Sequence, residues 1–280
     1  MRIFNKTVMS VLIAAIMIGI LSENGMAQKA TEAMFVDGDL EYHFLLNDSV
    51  NVSEAYMPTL PAQLIDQLAP MFAVNAEGEH DMGMYVDTPD RLLQQQNLIL
   101  RVKQGKITLK ARGAVPDSVL DLEKCDKKKY EIDYSGQADY SISSDLKFKD
   151  EEFDITFTTI TPQKLYTFIQ TRCPAMYRHL TPIVNNARVR IPGVASQYEF
   201  EASLPADHPA AKKAEVTLTI WFMAPKDETV LELAYSGAAA EKDVLDALQT
   251  ETVEFLTSKG LLRTEQKSKT QIYFDTFLGE

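Results

Sequence analysis

Short segments of this chain alternate charged and apolar residues, and within each segment the charges share one sign. Asp39 with Glu41, Glu131 with Asp133 and Glu199 with Glu201 are acidic pairs at i and i+2. Arg101 with Lys103, Lys110 with Arg112 and Arg188 with Arg190 are basic ones. Successive side chains of a strand point to opposite faces, so each segment reads as a strand with one charged and one apolar face. For any single strand the plain explanation is a half-solvated antiparallel sheet with salt bridges on its wet side. The set as a whole points elsewhere, because like charges repel and a solvated face has little reason to sort sign by strand. A closed barrel has such a reason: a basic wall can face an acidic wall across the lumen while helices cover the apolar outside. The expected class is therefore α+β, an antiparallel β-barrel or tunnel with a charged lumen and helices packed outside.

Helix signals fill the intervals between strands. Residues 61–72 suit a short helix, and Thr88-Pro89-Asp90 has the form of an N-cap, a proline at the first helical position and an acid in the first turn, leading into 91–96. Thr161-Pro162 repeats the device ahead of 163–172. The longest helical pattern spans 238–259 before Gly260, with Val244, Leu245, Leu248, Val253, Phe255 and Leu256 as its apolar face.

The first 27 residues set the context. Arg2 and Lys6 precede an uncharged apolar run at 8–21, and Gly25-Met26-Ala27 puts small residues where a signal peptidase reads. That pattern predicts a signal peptide at 1–27 and a single domain at 28–280, exported to the periplasm or beyond. The run is shorter than the roughly 20 residues of a spanning helix, so no permanent membrane anchor is expected. After cleavage the chain holds 26 basic and 39 acidic side chains, a net charge of −13. Such a surface does not attract nucleic acid, and an anionic ligand needs a local cluster of bases. Cys125 and Cys173 could pair in an oxidising compartment or remain buried thiols, and the four histidines show no metal-ligand spacing.

Met84-Tyr85-Val86-Asp87-Thr88-Pro89, followed by Leu98-Ile99-Leu100-Arg101-Val102-Lys103 and Ile107-Thr108-Leu109-Lys110-Ala111-Arg112, closely resembles the ordered pattern of the CYTH superfamily, the triphosphate tunnel metalloenzymes. In that family a Tyr-x-Asp-Thr-Pro strand end precedes a leucine-rich helix, a Leu-Arg-x-Arg strand and a Thr-Leu-Lys strand. Asp39-x-Glu41-x-His43 resembles its opening Glu-x-Glu-x-Lys strand, Glu131-Ile132-Asp133 its acidic mid-chain strand and Arg188-Val189-Arg190 the basic strand that follows. Glu232 resembles the first member of its late carboxylate pair, and Ser268-Lys269 its closing Ser-Lys. The likeness spans about 35–274. His43 replaces the family's lysine, Ala234 its second late carboxylate, and Asp39 is shorter than the usual glutamate.

The resemblance implies metal-dependent hydrolysis of a triphosphate or short polyphosphate inside the tunnel, with Mg²⁺ or Mn²⁺ as cofactor. Asp39, Glu41, Glu131, Asp133 and Glu232 are then the expected metal ligands, since carboxylates suit hard cations. Arg101, Lys103, Lys110, Arg112, Arg188, Arg190 and Lys269 would hold phosphates, with Lys267 beside the last. Glu41 and His43 are the catalytic candidates. Two other readings of the same residues are a non-catalytic polyanion-binding tunnel and a structural envelope protein with an emptied lumen.

Overall fold

The computed structural model describes residues 28–47, 60–135, 137–149, 160–184, 189–223 and 228–279. The expected signal peptide and Arg188 lie outside the described residues. Ten strands are present among the described residues: β1 (Asp39–Leu46), β2 (Ala73–Val74), β3 (Glu79–Val86), β4 (Leu98–Lys103), β5 (Lys106–Gly113), β6 (Lys127–Tyr134), β7 (Ala138–Lys147), β8 (Ala195–Ser203), β9 (Glu215–Met223) and β10 (Glu228–Ala238). The helices are α1 (Ala62–Leu68), α2 (Leu92–Gln95), α3 (Pro162–Arg172), α4 (Pro174–Val184), α5 (Lys242–Ser258) and α6 (Lys269–Phe274). None of them is long and apolar enough to cross a membrane.

The strands run in the order β8-β3-β4-β5-β7-β6-β1-β10-β9, and β9 pairs back onto β8, so nine strands close into a barrel with β2 attached to β8. The expected barrel is present and antiparallel at every seam but one: β1 pairs with β6 in parallel, with Asp39 opposite Glu131 and Glu41 opposite Asp133. The reason is topological. Directions cannot alternate around a ring with an odd number of strands, so one parallel seam is unavoidable.

Alternation along each strand sorts the two faces. Leu40, Tyr42, Phe44 and Leu46 on β1, Leu98, Leu100 and Val102 on β4, Ile107, Leu109 and Ala111 on β5, and Leu231, Leu233 and Tyr235 on β10 are buried beneath the outer elements. Two apolar clusters form there. One joins β3, β4, β5 and β7 to Leu165, Tyr166, Ile169, Met176 and Leu180 of α3 and α4. The other joins β1, β8, β9 and β10 to Leu64 and Leu68 of α1 and to Leu245, Leu248 and Leu256 of α5. At about 25 cal/mol per Å² of apolar surface removed from water, these outer layers supply the main drive to fold. The lumen, by contrast, buries Glu131, Asp133, Asp145 and Glu232.

A third apolar cluster lies at one end of the lumen. Leu45, Tyr85, Ala195, Trp221, Met223 and Val230 pack there against Ile272, Tyr273 and Phe274 of α6, with Phe277 beside them. The C-terminal segment thus closes that end. Tyr273 fastens it by donating its hydroxyl hydrogen to the Gly193 carbonyl. A side chain at Gly193 would collide with the Phe277 ring, which its Cβ would approach to 2.1 Å.

Local details depart from the sequence reading in three places. The cap of α2 is shared, with Asp87 accepting from the backbone N–H groups of Thr88, Leu93 and Gln94 at 2.7, 2.9 and 3.1 Å, and the Thr88 hydroxyl from Leu92 at 3.0 Å. Arg91 enters the helix in the left-handed region at φ 54°, so α2 starts one residue late. Val253 is 37% exposed, because the packed stripe of α5 runs Leu245, Leu248, Thr252, Leu256 and leaves position 253 about 100° away. Of the expected strand at 187–191, positions 187 and 188 lie outside the described residues, and among 189–191 there is one isolated bridge between Arg190 and Asp87; the described ring closes without it. Thr161 caps α3 as its sequence suggests, accepting from Lys164 N–H at 3.2 Å. Cys125 and Cys173 form a disulfide that ties the end of α3 to the approach to β6.

Candidate active site

The inward positions of the strands converge on one cavity of about 350 Å³. Glu41 and His43 reach it from β1, Arg101 and Lys103 from β4, Lys106, Lys110 and Arg112 from β5, Lys129, Glu131 and Asp133 from β6, and Glu232 from β10. Lys267 and Lys269 come in from the C-terminal segment. Acidic and basic side chains border the cavity in equal number, with His43 in addition. The lumen is therefore close to neutral inside a chain of net charge −12.

His43 stands among three carboxylates. Its Nε2 lies 3.5 Å from Glu41 and 3.7 Å from Asp133, and its Nδ1 lies 3.3 Å from Glu232. Burial alone would strip the ring of its proton, but Glu232, Asp133 and Glu41 outweigh it and hold the imidazole well above its usual value. These carboxylates favour the protonated ring, which has no lone pair to offer. His43 is thus unsuited to act as a base in this state, whereas donation of its proton remains open to it.

Lys110 bridges two more carboxylates, at 3.0 Å from Glu131 and 3.0 Å from Asp133, with Arg112 3.7 Å from Asp133. Burial opposes the charge on Asp133, yet Lys110, His43 and Arg112 keep it well below the usual carboxylate range. For Glu41 burial again acts upward, and the His43 hydrogen bond with Lys110 brings the carboxyl to about 2. Glu131 goes the other way: burial, assisted by Glu41 and Asp133, raises it despite Lys110. Lys269 meets Glu232 at 2.5 Å, and Lys269 with His43 holds that buried carboxyl at about 2.

The basic wall continues toward the closed end. Burial opposes the charge on Arg101, but Tyr85, Glu131 and Asp145 hold it above its usual value. Lys103, 3.6 Å from Asp81, is pushed down to about 8, first by burial and then by Arg101. Lys106 stands 3.8 Å from Asp145, whose other oxygen accepts the Thr108 hydroxyl hydrogen at 2.7 Å.

Ligand atoms of Glu41, His43 and Asp133 all lie within 4.8 Å of one another. The two carboxylates offer the hard oxygens that Mg²⁺ or Mn²⁺ prefers, with Glu131 and Glu232 as neighbours. This donor set fits such an ion, with the His43 imidazolium a competing cation rather than a ligand.

The sequence-derived candidates divide on placement. Glu41, His43, Arg101, Lys103, Lys110, Arg112, Glu131, Asp133, Glu232 and Lys269 are brought together. Asp39 shares their face of β1 but does not border the cavity, because it sits at the strand's first residue. Arg190 does not border the cavity: it is exposed, and its backbone pairs with Asp87. Trp221, Gln197, Thr219, Lys129 and Asp145 border the cavity without having been singled out. Their signal was the i, i+2 alternation itself, which also holds when the inward residues are neutral, as in Thr217, Thr219 and Trp221 of β9.

No family model and no curated protein sequence matches the chain. Solved structures do. One, from Hippeastrum, is described as a candidate adenylyl cyclase with a dominant triphosphatase activity; it shares 13% identity over 84% of this chain and 95% of its own, with a TM-score of 0.49. Another, a candidate adenylate cyclase from Bacillus halodurans, shares 14% identity over 85% and 98%, with a TM-score of 0.46. A protein from Pyrococcus horikoshii shares 11% over 84% and 99%, with a TM-score of 0.39. In architecture this chain is a closed nine-stranded barrel with helices outside and a charged lumen.

Proposed function

We propose that the protein is a metal-dependent hydrolase of inorganic triphosphate or a short polyphosphate, working inside the barrel and outside the cytoplasm. The observation that carries this reading is the pairing of a basic wall with the Glu41–His43–Asp133 cluster in one cavity. A phosphate chain needs both parts: distributed positive charge along its oxygens and oxygen ligands for its counter-cation. Mg²⁺ or Mn²⁺ held by Glu41 and Asp133, with Glu131 and Glu232 beside them, would polarise the phosphoryl group under attack.

The chain's own residues supply the rest. Arg101 and Arg112 can bind phosphate oxygens in pairs through their planar guanidinium groups, and Lys103, Lys110 and Lys269 add point charges. Lys110 and Lys269 are already charged and aimed inward by their carboxylate partners, so little reorganisation is needed when phosphate competes for them. His43 stands among these carboxylates, and in its protonated form it would be placed to donate to the phosphate oxygen that leaves as the P–O bond breaks. An exported location favours inorganic chains, because nucleoside and thiamine triphosphates are mainly cytoplasmic. The disulfide agrees with an oxidising compartment.

The test is phosphate release from inorganic tripolyphosphate by purified protein lacking residues 1–27, with Mg²⁺, with Mn²⁺ and with excess chelator. Turnover that needs the metal and is lost in Glu41→Gln is the expected result. Tight binding without turnover would overturn the hydrolase reading and leave a tunnel that captures phosphate chains.

A further inference from the structure

The chain holds a single tryptophan, and it lies in the lumen. Alternation along β9 places Trp221 on the inward face with Thr217 and Thr219, and it borders the cavity near the closed end. Its ring stacks at 22° to Tyr85, with centroids 6.1 Å apart, and the Lys269 ammonium lies 5.5 Å over it. Trp221 is 1% exposed, yet its Nε1 has no hydrogen-bond partner. Buried indole N–H groups ordinarily find an acceptor, and a phenylalanine would fill the same apolar floor without the requirement. Gln197, directly across the ladder, also keeps an unpartnered Oε1, so the two side chains do not satisfy each other.

An indole N–H can only donate. Arg101, Lys103 and Lys269, which border the same cavity, also only donate. Lys103 and Lys269 already face Asp81 and Glu232, whereas the Trp221 N–H has no acceptor among the described residues and can take one from a ligand. We propose that Trp221 Nε1 donates to a phosphate oxygen at the inner end of the bound chain, as a neutral and directional contact among charged ones. The proposal rests on the reading of the lumen as a phosphate-chain site.

The experiment uses inorganic tripolyphosphate with the protein lacking residues 1–27. Calorimetry measures its affinity for that protein and for Trp221→Phe, while the one indole N–H resonance is followed by ¹⁵N-edited NMR. The expected result is a saturable downfield movement of that resonance and a Kd about tenfold weaker in Trp221→Phe, the scale of a lost hydrogen bond to a charged group. Binding that leaves the resonance in place would overturn the role of Trp221 while sparing the phosphate-chain reading. Absence of binding by the unsubstituted protein would overturn both. If Trp221→Phe fails to fold, the resonance in the unsubstituted protein decides.

Discussion

Lys110 shows what the lumen costs and what holds it together. Its ammonium sits between Glu131 and Asp133, both at most 5% exposed. Replacing it by methionine leaves buried carboxylates without their nearest cation, and breaking such a pair typically costs about 3–5 kcal/mol. Lys110→Met should lower the urea midpoint strongly, while the exposed pair of Arg178 and Glu123 should barely register when broken. The carboxylates also fix a pH dependence. Glu41 and Glu232 stand near 2 in the folded chain against 4.5 ordinarily. Their contribution is complete above about pH 4.5 and disappears as pH falls through about 2. His43 acts with the opposite sign: its folded value is raised above 6.5, so its contribution is complete below that and fades as pH climbs through the raised value. Urea midpoints across pH 2–9 should therefore fall on both sides of a plateau, and Glu232→Gln should reduce the slope of the acid limb. Charge type and inward direction at 41, 43, 101, 110, 131 and 133 were legible, because a period of two needs no knowledge of neighbours. Which charges meet was not, since His43 touches Glu232 across 189 residues of sequence.

At the scale of elements, the disulfide makes one expectation concrete. Cys125 and Cys173 close a loop of 48 residues, for which chain entropy predicts stabilisation of roughly 4 kcal/mol and measured bonds typically give 2–4. The double alanine variant should melt at a lower temperature by that margin, and reductant should shift the parent protein in the same direction. Asp87, which accepts three backbone N–H groups at the start of α2, is the second such point. Asp87→Ala should cost about 1–2 kcal/mol, read as a shift in urea midpoint. The caps of α2 and α3 could be seen in the residues because capping is local. The placement of 189–191 could not be read in the same way: the alternation there is sound, but among the described residues it meets the barrel only through the bridge of Arg190 to Asp87.

For the molecule as a whole, charge is divided by position. The exterior carries the net −12 of the chain, and the lumen is balanced. An approaching polyphosphate meets repulsion at long range and attraction only inside. Raising ionic strength from about 0.01 M to 0.15 M shortens the Debye length from about 30 Å to 8 Å, which screens the first more than the second. The association rate of tripolyphosphate, followed by Trp221 fluorescence in stopped flow, should therefore rise with salt over that range. A basic binding surface would show a fall.

By itself the sequence determined that strands would carry sorted charges on one face and that helices would cover the other. Those properties follow from alternation and capping, which act over a few residues. Only the tertiary structure decided the parallel seam between β1 and β6, the closure of one end by α6, the exclusion of Arg190 and the inclusion of Trp221. Each of these depends on how a nine-stranded ring is closed, and ring closure brings together residues whose separation along the chain carries no information about their contact.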